Sequence, residues 1–369
     1  MFAINSFSAP RVTANRPVTR LRKHIFGISV EEVTFARRGF NDSGRAARER
    51  LEHVGRTFLQ GYHAALCDED PEVLASNLEA VGRESCGFAY EGAAMGLTLL
   101  DQLSFWKRGR LLTFLNGVGS KHTYMIHVGV GWAIARVPWL RSNFHHAVAD
   151  LDPLLRWLAA DGNGFSDFYF KFPSFLRKPK RLNQLQGYAR HAYAQGVGRS
   201  LWFVTGAKAN LVSQSISLLP RSLHGDLWSG VGLACAMAGG SDRAEIELVR
   251  SLAGDYRSAL AQGAAFAAKA RQRADNTTDH TETACQILCG LNAEAAAEVT
   301  DAMLHHLPED RGVPAYEIWR RRIQSQPESP EQQRPVRPHL YVWRRPQWSI
   351  PVRSHGRFDR LPRASHDPR

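Results

Sequence analysis

Apolar residues recur at intervals of three and four along most of this chain. In SGRAARERLEHVGRTFLQGYHAAL, Ala47, Leu51, Val54, Phe58 and Leu59 fall on one side of a helix, and Asp42 or Ser43 stands where an N-cap belongs. PEVLASNLEAV, GAAMGLTLLDQL, LDPLLRWLAA, AEIELVRSL, ALAQGAAFAAKARQRA, TACQILCGL and AEAAAEVTDAMLHHL carry the same period. Only SLWFVTGA and HTYMIHVGV cluster like strands, and a helix buried on all sides gives the same run. The pattern predicts a mainly α fold. It lapses over residues 1–24, which are basic and unpatterned, and again from residue 325. The C-terminal stretch gathers eight of the eighteen prolines with Arg, Gln and Ser, a composition too polar to offset the entropy of ordering. Trp343 and Trp348 lie in it.

Small residues crowd the helical segments, as in GFAYEGAAMG, VGVGWAIA, GVGLACAMAGG and QGAAFAAKA. Glycine inside a helix costs about 1 kcal/mol relative to alanine. Such stretches therefore predict close backbone contact between helices, room for a ligand, or both.

The second half also echoes the first. Arg83, Gly87, Tyr90 and Gly92 recur as Arg221, Gly225, Trp228 and Gly230, each displaced by 138 positions. Asp152, Leu155, Leu158 and Asp161 recur as Asp301, Leu304, Leu307 and Asp310, displaced by 149. Gly55-Arg56-Thr57 answers to Gly198-Arg199-Ser200, displaced by 143. These matches predict two pseudo-symmetric helical halves from an internal duplication, residues 25–180 and 181–324, between a basic N-terminus (1–24) and a Pro/Arg-rich tail (325–369). A cavity is expected at the seam, with function where the copies differ.

The formal charge of +12 suggests nucleic acid until it is located. Residues 1–50 carry ten Lys/Arg against four Asp/Glu, residues 325–369 carry nine against four, and the body is nearly neutral. Phosphate binding needs cations gathered on a folded face, so no nucleic-acid partner is expected. The five cysteines are odd in number and form no CxxC pair, which argues for buried packing over structural zinc. No apolar run reaches the roughly 20 residues of a membrane span, and no signal-peptide core stands at the N-terminus. A cytoplasmic protein is expected. Rossmann, P-loop, nucleophile-elbow and HExxH motifs are absent, so no cofactor and no metal are predicted.

Glu91 is the sharpest candidate for chemistry. It lies in the apolar segment GFAYEGAAMGLTLL, and its equivalent in the second copy is Ser229, so the fold does not demand a carboxylate there. A carboxylate in such a setting finds a partner, with Arg83 or Arg56 in reach, or takes up a proton and serves as a general acid. Asp226 replaces Phe88 of the first copy and reads as a second acid or as an N-cap. Tyr90, His127 and His280 are further candidates for proton transfer. His280 aligns with His122 or His127 equally well. Phe88, Trp132, Trp228, Tyr316 and Trp202 are the aromatic residues expected to line a cavity for a large apolar guest. Asp152, Asp161 and Arg56, with counterparts in both halves, read as architectural.

Taken together, RRGF at 37–40, GRTFLQGYHAAL, GFAYEGAAMGLTLLD, HTYMIHVGVGWAIAR, LDPLLRWLAADGNGF, QGVGRSLWFV, DLWSGVGLACAMAGG, HTETAC and PAYEIWRRRI resemble domain-of-unknown-function family 1702. The resemblance covers the chain from about Leu21 to Ile323. That family includes the UnbL-type protein encoded beside enediyne polyketide synthases. The resemblance implies a part in secondary-metabolite biosynthesis, in converting a linear polyene toward an enediyne core, and it brings no catalytic residues with it. Three functions are expected to compete: acid-base isomerisation or cyclisation of a polyene, a terpene-cyclase-like reaction on a prenyl substrate, and a non-catalytic polyene carrier or partner subunit. DGNGF faintly echoes the glycine-aromatic turns of helical-barrel cyclases, although no DDxxD motif is present.

Overall fold

In the computed structural model, which describes residues 17–104, 109–308 and 312–326, the elements are helical and no strand occurs among the described residues. The longest helices are α1 (Arg45–Cys67), α2 (Cys86–Leu103), α3 (Thr123–Arg136), α4 (Trp157–Lys171), α5 (Gly187–Val204), α6 (His224–Ala238) and α7 (Arg257–Arg273). Short helices such as Pro71–Glu79 and Arg243–Ala253 occupy the returns between them, and α8 (Ala315–Gln324) follows α7 after two more. Another short helix, Pro17–Phe26, forms where the apolar pattern predicts no element. The tryptophans of the tail and Asp310 lie outside the described residues.

The mainly α expectation is met, and the two strand-like segments resolve as α3 and the end of α5. Both are buried on nearly every side, which erases the alternation that a wet face would impose. α1 is capped at Gly44, one place after the expected residues. Asp42 accepts from the Gly44 amide (3.1 Å) and Ser43 donates to the Gly206 carbonyl. At φ +122°, Gly44 adopts a backbone conformation that side chains disfavour.

Each long helix packs on the next in chain order. Neighbours run in the same direction. Near the start of α5, His191 meets Asp226 in the first turn of α6 (2.8 Å), and near its end Trp202 donates to the Gly239 carbonyl just past α6 (2.8 Å).

Glycines set the register between these helices, and it is the same at each step. Gly92, Gly129, Gly162, Gly196, Gly230 and Gly263 press on the carbonyls of Phe58, Glu91, Val128, Asp161, Gln195 and Ser229 in the preceding helix. Two places further on, Gly61, Gly131, Gly164, Gly198 and Gly232 press on carbonyls of the following helix, at Ala89, Ala159, Tyr193, Leu227 and Leu260. A Cβ at any of these eleven glycines would stand 1.8–2.2 Å from the carbonyl oxygen. Backbone therefore touches backbone, closer than side-chain-separated packing allows. Where α2 has Ala94 in the second place, its methyl meets α3 at Gly129.

This register does not single out the two halves expected from the sequence. Gly92 and Gly230 do hold equivalent places, but so do the glycines between them, at steps of 33–37 residues. The repeating unit visible in the structure is one long helix with its return. Gly55 and Gly198, equated in the two halves, have unlike neighbours: the Val33 side chain and the Leu227 backbone.

The array curls until its ends meet. Arg50 of α1 donates to the Ala238 carbonyl at the end of α6 (2.8 Å). Arg271 of α7 donates to the carbonyls of Glu84, just before α2 (2.5 Å), and Met237 (2.7 Å). The described residues belong to a single compact unit.

Candidate functional site

The glycine register lines up one residue per helix beside the point of closest approach, and the residue four places later lies over it on the same face. In α2 to α5 the first of these are Glu91, Val128, Asp161 and Gln195, and the second include Trp132, Phe165 and Arg199. The polar members find one another across the interior. Gln195 Nε2 donates to Asp161 Oδ2 (2.9 Å), Ser229 donates to Gln195 Oε1 (3.4 Å) and to Gln262 Oε1 (2.9 Å), and Arg320 of α8 donates to Gln262 Oε1 (3.1 Å).

A cavity with an empty volume of about 540 Å³, counting its open mouth, lies inside α1 to α5. Phe58, Phe88, Trp132, Phe165, Tyr169 and Phe203 line it, and among the described residues Glu91 and Arg199 are the charged members of the lining. A second space of about 470 Å³ lies inside α3 to α8, where Met125, Leu158, Phe266, Tyr316 and Trp319 surround it. Arg199 lines both.

Arg199 is buried and commits to Asp161: its Nη1 donates to Asp161 Oδ1, and its guanidinium lies over the Phe165 ring, 5.1 Å from the centroid. Its Nη2 stands 3.9 Å from Glu91 Oε1, which also accepts from Trp132 Nε1 (2.9 Å). One guanidinium thus faces two carboxylates in a buried site. Burial drives the Glu91 pKa up to about 7, against the lowering by Arg199 and Trp132, and the Asp161 carboxylate adds to the rise. Glu91 can hold or release a proton near neutrality while facing an aromatic wall.

The structure brings Glu91, Phe88 and Trp132 to the first cavity and Tyr316 to the second. The partner of Glu91 is Arg199. Arg83 pairs instead with Asp275 (2.7 Å) and Arg56 with Glu52 (3.1 Å). Asp226 sits between Arg320 (2.8 Å) and His191 (2.8 Å) and caps no helix. Burial raises its pKa, but Arg320 and His191 more than offset this, so it stays a carboxylate. Tyr90 points to another cluster, where it donates to Glu79 (3.0 Å) and stacks on His122. His127 is held by the Thr123 carbonyl (2.7 Å), and burial keeps its imidazole neutral. His280 lies at the closure, against the Met237 carbonyl (3.2 Å), its pKa lowered to about 4 by burial. Trp202 and Trp228 are buried but line neither cavity.

Sequence reasoning missed Arg199, which it assigned to architecture through the match with Arg56. The signal was there: a lone cation in AYAQGVGRSLWFV is as anomalous as Glu91 in its own helix. No curated protein and no solved structure compared with the chain matches it. The model of the family described as protein of unknown function (DUF1702) matches residues 17–326, and the chain belongs to that family.

Proposed function

We propose that the chain takes a long unsaturated hydrocarbon into its aromatic cavity and that Glu91 acts on it as general acid, then as base. The observation that carries this reading is the charge count: Arg199 is spent on Asp161, so Glu91 keeps a proton where the surrounding wall is aromatic. Trp132 and Arg199 both approach Oε1, which leaves Oε2 to carry the proton. Transfer of that proton to one carbon of a conjugated alkene leaves a delocalised cation, and the faces of the surrounding rings stabilise it. Return of a proton from a neighbouring carbon to Glu91, directly or after ring closure, completes an isomerisation or a cyclisation with the acid restored.

Family membership and the likeness to the UnbL-type protein favour a linear polyene of enediyne biosynthesis as substrate. A prenyl diphosphate, the terpene-cyclase-like alternative, fits less well, because Arg199, the cation among the described residues of the first cavity, is already paired with Asp161. The hydrogen bond from Trp132 to Glu91 favours a second reading, in which the acid is fixed in place and the cavity only shelters a polyene for partner proteins of the same cluster.

The two readings separate in deuterated water. With a conjugated polyene as probe, the wild-type chain is expected to shift the polyene absorption and to place deuterium on carbon. Glu91→Gln should do neither while still binding the polyene. Binding without deuterium incorporation by the wild type leaves the carrier reading in possession, and equal incorporation by Glu91→Gln would overturn the assignment of Glu91 as the acid.

A further inference from the structure

Away from both cavities, three elements bring Glu79, Cys86 and His122 together. Glu79 ends the short helix Pro71–Glu79, Cys86 opens α2, and His122 ends the turn before α3. Cys86 Sγ is 3.8 Å from His122 Nε2, and His122 Nε2 is 3.9 Å from Glu79 Oε1. The donor atoms of all three residues lie within 4.8 Å of one another. Around a tetrahedral zinc ion, with Zn–S near 2.3 Å and Zn–N near 2.0–2.1 Å, adjacent ligand atoms stand about 3.3–3.6 Å apart. Two edges of that tetrahedron are therefore nearly in place. The third needs a short inward swing of the Glu79 carboxylate, whose side chain is 55% exposed.

The surroundings are those of a ligand set. The Tyr90 hydroxyl donates to Glu79 Oε1 (3.0 Å), and its ring stacks on His122 with centroids 4.0 Å apart, fixing the imidazole plane. Such outer partners orient metal ligands and set their basicity. Asn276, only 4% exposed, reaches over from the end of α7 with its Nδ2 3.8 Å from Cys86 Sγ, while its buried Oδ1 has no partner. A metal-bound water is a donor that could satisfy such an oxygen. Thiolate, imidazole and carboxylate are a zinc-type donor set, and three protein ligands leave one position for that water.

We propose that Glu79, Cys86 and His122 bind a single zinc-type cation where the N-terminal ends of α2 and α3 meet the loop after α7. The proposal is independent of the role given to Glu91. It also explains why no metal is legible in the sequence, since the ligands stand at irregular spacing on three elements.

Cobalt(II) titration of the metal-stripped full chain tests it. One equivalent should produce the intense visible bands of tetrahedral cobalt and a thiolate-to-cobalt charge-transfer band, both bleached by zinc. Cys86→Ser should lose the charge-transfer band, whereas Cys285→Ser should keep it. Glu79→Gln, at an exposed position where folding is safe, should weaken cobalt binding at least tenfold, and so should His122→Ala with its helical circular dichroism unchanged. No cobalt bound, a charge-transfer band that survives Cys86→Ser, or unaltered affinity in Glu79→Gln would each overturn the proposal.

Discussion

One guanidinium between two carboxylates sets the charge state around Glu91, and stability should report it. The Glu91 pKa is raised to about 7 by burial, whereas an exposed glutamate titrates near 4.5. Through that window the folded chain holds Glu91's proton more tightly than the unfolded one does, so the contribution of this group to stability is full below pH 4.5 and is lost as pH rises through 7. The shift corresponds to about 3 kcal/mol. Glu91→Gln should lack this loss, and denaturant unfolding of the two proteins at pH 4.5 and 7.5 compares them directly; parallel pH profiles would show that Glu91 is not strained. Arg199 is the complementary case. Arg199→Met strands the buried Asp161 carboxylate, a change that costs about 3–5 kcal/mol where one partner of a buried pair is removed. Adding Asp161→Asn should restore part of it, and a double-mutant cycle measures the coupling.

At the scale of elements, the glycine register makes a sharper demand than helix propensity does. Ordinarily Gly→Ala inside a helix is favourable by about 1 kcal/mol. At Gly230 of α6 the new methyl would stand 1.9 Å from the Gln195 carbonyl oxygen, so α5 and α6 must separate. Gly230→Ala should therefore lower stability by about 3 kcal/mol or more. Gly225, in the same helix, faces only a Tyr256 ring carbon at 3.8 Å, and Gly225→Ala should cost nothing. Thermal unfolding of the pair decides between backbone contact and mere scarcity of side chains. The sequence displays this register openly. VGVG, DGNG, QGVG and SGVG place Gly129, Gly162, Gly196 and Gly230 at steps of 33 or 34. Compared half against half, the same residues show only general smallness, because contact partners on another helix are invisible in a single period. Glu91 was legible for the opposite reason: a charge among apolar residues advertises its cost locally. Arg199 carried the same mark, but the apparent match with Arg56 drew it toward an architectural reading.

For the whole molecule, the consequential feature is closure. Helical character and the apolar interior follow from residue spacing, whereas the meeting of the ends depends on side chains reaching backbone far away in sequence. An open stack of repeats is stabilised between nearest neighbours and can fray from either end. Here the last long helix is tied to the first ones. Arg271, fully buried on α7, donates to the Glu84 carbonyl before α2 and to the Met237 carbonyl of α6, and it lies over the Phe88 ring, 5.8 Å from the centroid. Burial lowers its pKa to about 10, so it remains charged at neutrality and each bond is charge-assisted. Arg271→Met keeps the apolar stem but abandons these acceptors, at about 1.5–3 kcal/mol for each bond to a charged group. If closure couples the ends, amide hydrogen exchange should quicken in α1 and the start of α2 as well as around the substitution, although α1 is nowhere in contact with Arg271 by hydrogen bond. Acceleration confined to α7 and the Met237 turn would mean that the array behaves as an open stack. In that case the cavity around Glu91 would owe its shape to neighbouring helices alone.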